Sequence, residues 1–107
     1  MDTCTVQELK EKRDRGDEFV LIDVREAEEL ALASVEGACH IPLGEISMRA
    51  PELGEWKNKE VICMCHHGMR SARAQQILES AGFTHVRNLT GGIHAWSVLV
   101  DPSVSQY

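Results

Sequence analysis

Two short, unbroken apolar runs constrain this chain more than any other feature. They are "FVLIDV" at 19–24 and "KEVICMC" at 59–65. Neither alternates apolar with polar, so each reads as a strand covered on both faces, the pattern of a parallel sheet. A helix-like segment follows each. After the first comes "REAEELALASVEG" (25–37), with Leu30 and Ala33 on its apolar side and Gly37 as the expected stop. After the second comes "RSARAQQILESAG" (70–82), where Ala74, Ile77, Leu78 and Ala81 recur at helical spacing and Gly82 supplies the end. Upstream, Thr5 and Glu8 have capping-box spacing at the head of a helix with Val6 and Leu9 apolar and Gly16 at its close. "ACHIPL" (38–43) is a short strand that Pro42 assigns to an edge. "GEISMRAPELGEW" (44–56) is ambiguous, its helical turns interrupted by Pro51 and Gly54. "HVRNL" (85–89) is a further strand, and "TGGIHAWSVL" (90–99) a glycine turn and short helix. Strands that alternate with helices predict an α/β domain with a mainly parallel sheet and helices on both faces. The 107 residues suit a single domain, with a core of about 3–99 and an irregular tail at 100–107.

In such a sheet, ligands bind outside the carboxyl ends of the strands. Asp23 and Arg25, His40, and the residues after Cys65 all fall there. The formal net charge of −6 argues against a broad nucleic-acid-binding face. No apolar run approaches the ~20 residues of a membrane span, and "MDTCTVQELK" lacks the layout of a signal peptide. The expected setting is the cytoplasm, where Cys4, Cys39, Cys63 and Cys65 stay as thiols. Cys39 and Cys63 read as packing residues. Cys63 shares a strand face with Cys65, but a Cys-x-Cys disulfide is strained. Cys4 is placed near the surface without a role.

The seam "CHHGMRS" (65–71) carries the chemistry. A cysteine that leaves a strand just before a helix faces loop N–H groups and a helix amino end, which together bind anions. A thiolate there is stabilised and its pKa falls. Gly68 permits the tight turn, Arg70 adds positive charge, and Ser71 is expected to cap the helix. His66 and His67 invite a metal reading. A zinc site usually needs four convergent ligands, and neighbouring histidines on a tight loop are expected to point apart, so no metal is expected. Their expected roles are to tune the loop's electrostatics or to touch the acceptor. His40 is expected to be structural, and His94 and Trp96 to pack.

Four residues separate Cys65 from Arg70. In this spacing the chain resembles the rhodanese-like sulfurtransferase family, in which a six-residue loop, here Cys65, His66, His67, Gly68, Met69 and Arg70, encircles a reactive sulfur. "LIDVREAEEL", "GACHIPL" and "GFTHVRNLTGGIHAW" are similar to further segments of the family, in the same order. The resemblance implies a rhodanese-like fold with a five-stranded sheet, whose first strand lies near "TCTV". It implies Cys65 as the nucleophile that becomes a persulfide, with no other cofactor, and Asp23 and Arg25 as residues bracing the site. Arg70 is expected to attract an anionic donor. The implied partners are a small sulfur donor such as thiosulfate and an acceptor that is cyanide, a thiol or a thiol-bearing protein. The alternatives are a small cysteine-dependent phosphatase or arsenate reductase, or a non-catalytic interaction module. Tyrosine phosphatases use a loop one residue longer, which disfavours the phosphatase, and the retained Cys65 disfavours the silent module.

Overall fold

The computed structural model describes residues 2–107. In chain order the elements are β1 (Thr3–Cys4), α1 (Val6–Arg15), β2 (Val20–Asp23), α2 (Ala27–Leu32), β3 (Cys39–His40), α3 (Leu43–Arg49), a 3-10 segment (Ala50–Trp56), β4 (Val61–Met64), α4 (Met69–Ser80), β5 (Val86–Leu89) and α5 (Gly92–Leu99). The five strands form one sheet in the order β1-β5-β4-β2-β3, and every pairing is parallel. The expected five-stranded α/β architecture is present. No helix among the described residues is long and apolar enough to cross a membrane.

The continuous apolar runs become the inner strands β2 and β4, whose alternate residues serve opposite layers. Ile22, Val61 and Cys63 face a layer closed by α3 and α4, where Ile46, Ala74 and Leu78 are buried. Leu21, Ile62 and Met64 face a layer closed by α1 and α5, where Leu9, Ile93 and Trp96 are buried. Cys63 is packing, as expected, and burial pushes its thiol up to about 12. Cys4 departs from expectation. It is fully buried in the second layer, not near the surface, and burial raises its pKa to about 11. Its strand is only two residues long, and its threonine neighbours give no apolar periodicity from which to read that burial.

Two helical boundaries also differ. The ambiguous 44–56 stretch is α3 running into a 3-10 turn at Ala50, where Pro51 takes a starting position that needs no N–H. α2 stops at Leu32, not Gly37, because the backbone is already extended at Ala33. The Ala33 carbonyl accepts a hydrogen bond from Arg25 Nη2 at 2.8 Å.

That arginine is half of a buried ion pair at the carboxyl end of β2. Asp23 is 1% exposed and Arg25 0%. The Asp23 carboxylate accepts from Arg25 Nε at 3.0 Å, Nη2 at 2.7 Å and the Arg25 backbone N–H at 3.1 Å. Arg25 Nη1 reaches the Glu29 carbonyl at 3.3 Å, and the Arg25 carbonyl is bonded to His40 Nε2 at 2.7 Å. The pair therefore fixes the path from β2 through α2 and ties it to β3, with His40 in the structural role expected of it. Removing one member of a buried pair strands the other charge and costs about 3–5 kcal/mol. Asp23→Asn should lower the unfolding free energy by about that much in urea titrations, and a loss well under 1 kcal/mol would contradict this account.

Candidate functional site

Cys65 directly follows β4, and the chain curls through His66, His67 and Gly68 into α4. Gly68 sits at φ +112°, a conformation that favours glycine, and it occupies the cap position of α4. Ser71 therefore does not cap the helix. It lies inside the first turn, and its hydroxyl points back to the sulfur at 3.4 Å. The same hydroxyl is within donor reach of Asn88 Oδ1, while Asn88 Nδ2 holds the Gly68 carbonyl at 3.0 Å. The Gly68 N–H donates to Cys65 Sγ at 3.0 Å. Burial alone would raise the pKa of the Cys65 thiol. The Ser71 hydroxyl and the backbone N–H groups of Ser71, Gly68 and His67 outweigh it and bring the pKa below its ordinary value. The thiolate expected from the strand-loop-helix seam is thus favoured by convergent donors.

The loop is held from behind by the amino end of α5. Ile93 N–H donates to the Cys65 carbonyl at 2.9 Å, and His94 N–H to the His66 carbonyl at 3.1 Å. Gly92 makes this approach possible. Its φ is +58°, and a Cβ there would overlap both carbonyl oxygens and lie 2.7 Å from the His66 carbonyl carbon. The glycine pair in "TGGIHAW" is the sequence trace of this contact.

Arg70 is not a free cation. Its Nη1 and Nη2 donate to the two carboxylate oxygens of Glu29 at 2.6 and 2.8 Å. Such a bidentate pair has planar, directional geometry. Glu29 Oε1 also accepts from the Glu26 N–H at 3.1 Å, which anchors the carboxylate at the head of α2. The Tyr107 hydroxyl donates to Glu29 Oε2 and accepts from Arg25 Nη1, each at 2.8 Å. The Tyr107 ring stacks on His66, with centroids 3.9 Å apart and planes at 7°. The irregular tail thus packs onto the site. Asp23 pairs with Met64 just before Cys65, and the Asp23–Arg25 pair is linked to the far side of the loop through Tyr107, Glu29 and Arg70. Glu29, Asn88, Gly92 and Tyr107 carry no signal in the sequence that assigns them to the site, apart from the glycine pair.

His66 and His67 do not diverge as expected. Their ring centroids are 4.0 Å apart, and His94 joins them at 4.9 Å from His67 and 6.1 Å from His66. The stacked Tyr107 ring and the His94 N–H bond to the His66 carbonyl hold this part of the loop so that the two rings lie together. His94 belongs to this cluster as well as to α5, while Trp96 packs in the core as expected. A concavity of about 210 Å³, lined by Cys65, His66, His67, Met69 and Arg70, gives access to the sulfur. A second surface concavity, lined by Ser47, Ala50, Arg73 and Ile77 among others, has no thiol among its described lining residues.

The Glu29–Arg70 pair makes a pH-dependent contribution. Arg70 is the largest cause that holds the Glu29 carboxyl down at about 2, from an ordinary value of 4.5. A depressed carboxylate stabilises the fold fully above its unfolded-state pKa and loses that contribution as pH falls through its folded-state pKa. Glu29→Gln should therefore lower the urea midpoint near neutrality, and the difference from wild type should shrink between about pH 4.5 and about pH 2. A difference that stays constant across that window would contradict the assignment.

Comparison with known proteins places the fold. The family model for the rhodanese-like domain matches residues 5–99. The putative sulfur carrier protein YrkF of Bacillus subtilis is 39% identical over 93 residues, which cover 87% of this chain and 49% of YrkF. The putative sulfurtransferase YtwF of the same organism is 42% identical over 88 residues, covering 82% of each chain. The chain spans half or less of several other curated relatives, such as the rhodanese-like/PpiC domain-containing protein 12 of Arabidopsis thaliana, of which it covers 31%. Among solved structures, a rhodanese-like domain protein from Staphylococcus aureus superposes with a TM-score of 0.81 at 31% identity, covering 100% of this chain and 99% of that one. The human single-domain sulfurtransferase TSTD1 gives a TM-score of 0.80 at 27% identity, covering 92% and 97%. With its five-stranded parallel sheet and its encircled Cys65, this chain belongs to the rhodanese-like family.

Proposed function

We propose that this chain is a sulfurtransferase that carries a sulfane sulfur as a persulfide on Cys65. The observation that carries the reading is the ring of donors around Cys65 Sγ, with Gly68 N–H at 3.0 Å and the Ser71 hydroxyl at 3.4 Å. Those groups stabilise an anionic sulfur. In the first step the thiolate attacks the outer sulfur of thiosulfate or of a persulfide donor. A Cys65 S–S bond forms, the donor's S–S bond breaks, and sulfite or the donor thiolate leaves with the bonding electron pair. In the second step a thiolate acceptor, cyanide or a thiol-bearing protein attacks the terminal sulfur, and the Cys65 thiolate returns. Splitting the transfer through a covalent intermediate gives ping-pong kinetics.

In this reading the surrounding residues have distinct work. The loop N–H groups hold the terminal sulfur before and after transfer. Arg70 borders the entrance as one half of a fixed ion pair, not as a free cation. Asp23 and Arg25 brace the segment that carries Glu29. Relatives named as a sulfur carrier and as sulfurtransferases support a relay of this kind, in a reducing cytoplasm that keeps the thiols free.

The test is an intact-mass measurement after incubation with thiosulfate and removal of the excess. A gain of one sulfur atom, reversed by cyanide and absent in Cys65→Ala, is the expected result. Failure to form the adduct with thiosulfate or with glutathione persulfide, together with hydrolysis of aryl phosphates or reduction of arsenate, would replace this reading with one of its alternatives. An inert thiol in all these assays would make the chain an interaction module.

A further inference from the structure

The histidines beside the loop are not explained by sulfur transfer. Each of His66, His67 and His94 offers a ring nitrogen, and these three atoms lie within 4.8 Å of one another. His66 Nε2 and His94 Nδ1 are shielded from solvent, and neither has a hydrogen-bond partner. Buried polar atoms are almost always paired, so two orphaned nitrogens on adjoining rings point to a ligand. We propose that His66, His67 and His94 form a binding site for a divalent transition-metal cation of the zinc class at the rim of the Cys65 pocket.

The backbone already holds the three residues together. The His94 N–H bond to the His66 carbonyl and the Ile93 N–H bond to the Cys65 carbonyl fix α5 against the loop. Tyr107 stacks flat on His66, which restrains that ring while its Nε2 has no hydrogen-bond partner. His67 is exposed and gives an ion a way in. Neutral imidazoles suit zinc, nickel, cobalt and copper and do not suit magnesium or calcium. Three histidines with an open fourth position match the ligand count of a catalytic-type zinc centre. Metal–nitrogen bonds of about 2.0–2.1 Å need nitrogens roughly 3.4 Å apart in a tetrahedron. The rings must therefore close in from the 4.8 Å limit by about 1.4 Å, a motion within reach of side-chain rotation on the exposed side of the loop. His66 and His67 also line the concavity above Cys65. A bound ion would thus stand at the donor's entrance, and if the chain transfers sulfur as proposed above, it would slow that transfer reversibly.

The site itself is tested without any activity assay. The full chain, kept reduced with a phosphine, is titrated with Co²⁺ and followed by its visible d–d absorption. The expected result is saturation at one equivalent, with displacement by Zn²⁺. Affinity should fall about tenfold or more in His94→Gln and in His67→Asn. His67 is exposed, so its substitution keeps the test sound even if His94→Gln disturbs α5. Binding should persist in Cys65→Ser without intense sulfur-to-cobalt charge-transfer bands. Absence of saturable binding, affinity unchanged in both histidine variants, or binding lost in Cys65→Ser would each overturn the site. None of these outcomes depends on whether the chain transfers sulfur.

Discussion

The site depends on where two carbonyl oxygens point. Because the peptide unit is planar and trans, its N–H and C=O lie on opposite sides. When the amino end of α5 takes the His66 carbonyl from behind, the His67 N–H of the same peptide unit is left on the side of the sulfur, to which it donates. Gly68 completes the curl with a positive φ, and Asn88 holds its carbonyl from β5. The anion cradle is therefore a product of packing between α5, β5 and the loop, as much as of the six loop residues. Gly92 is the close approach on which this depends, since no other residue leaves room for both carbonyls.

A second layer of support is electrostatic. Starting from the buried Asp23–Arg25 pair, a chain of contacts passes through Tyr107 and Glu29 to Arg70 at the pocket rim. Its interior end is a compensated pair whose value lies in fixing the path of the backbone. Its outer end holds a guanidinium in one orientation at the pocket, with its charge shared by Glu29. The rim thus combines an ion pair, a stacked tyrosine and three imidazoles.

Much of this was legible in the sequence, for identifiable reasons. β2 and β4 announce themselves because strands covered on both faces must be continuously apolar. α4 does so because one face must be. Cys65 is found by its place between those two elements and by its count to Arg70. β1 and β3 are two residues each, too short for any periodicity, so β1 rests on resemblance alone and Cys4 was misplaced. Ser71 has the right residue type for a cap, but the glycine three positions earlier takes that place, and the hydroxyl lies between the sulfur and Asn88 Oδ1 instead. Glu29 lies 41 positions from Arg70, and Tyr107 lies 78 from Glu29. Nothing local encodes such pairings; they follow only once the strand order is known. The histidine cluster was missed for a related reason, since its third member arrives on α5 from the far end of the chain.

The central claim is that packing of α5 against the loop lowers the pKa of Cys65. The pH dependence of Cys65 alkylation, read by peptide mass so that the other three thiols do not interfere, tests it most directly in wild type and in Gly92→Ala. Wild type should titrate below the free-thiol value of about 8.5. Gly92→Ala, with its far-UV circular dichroism retained, should titrate measurably higher than wild type, because the donors around the sulfur are displaced. A wild-type midpoint at or above the free-thiol value, or the same depressed midpoint in both proteins, would contradict the account.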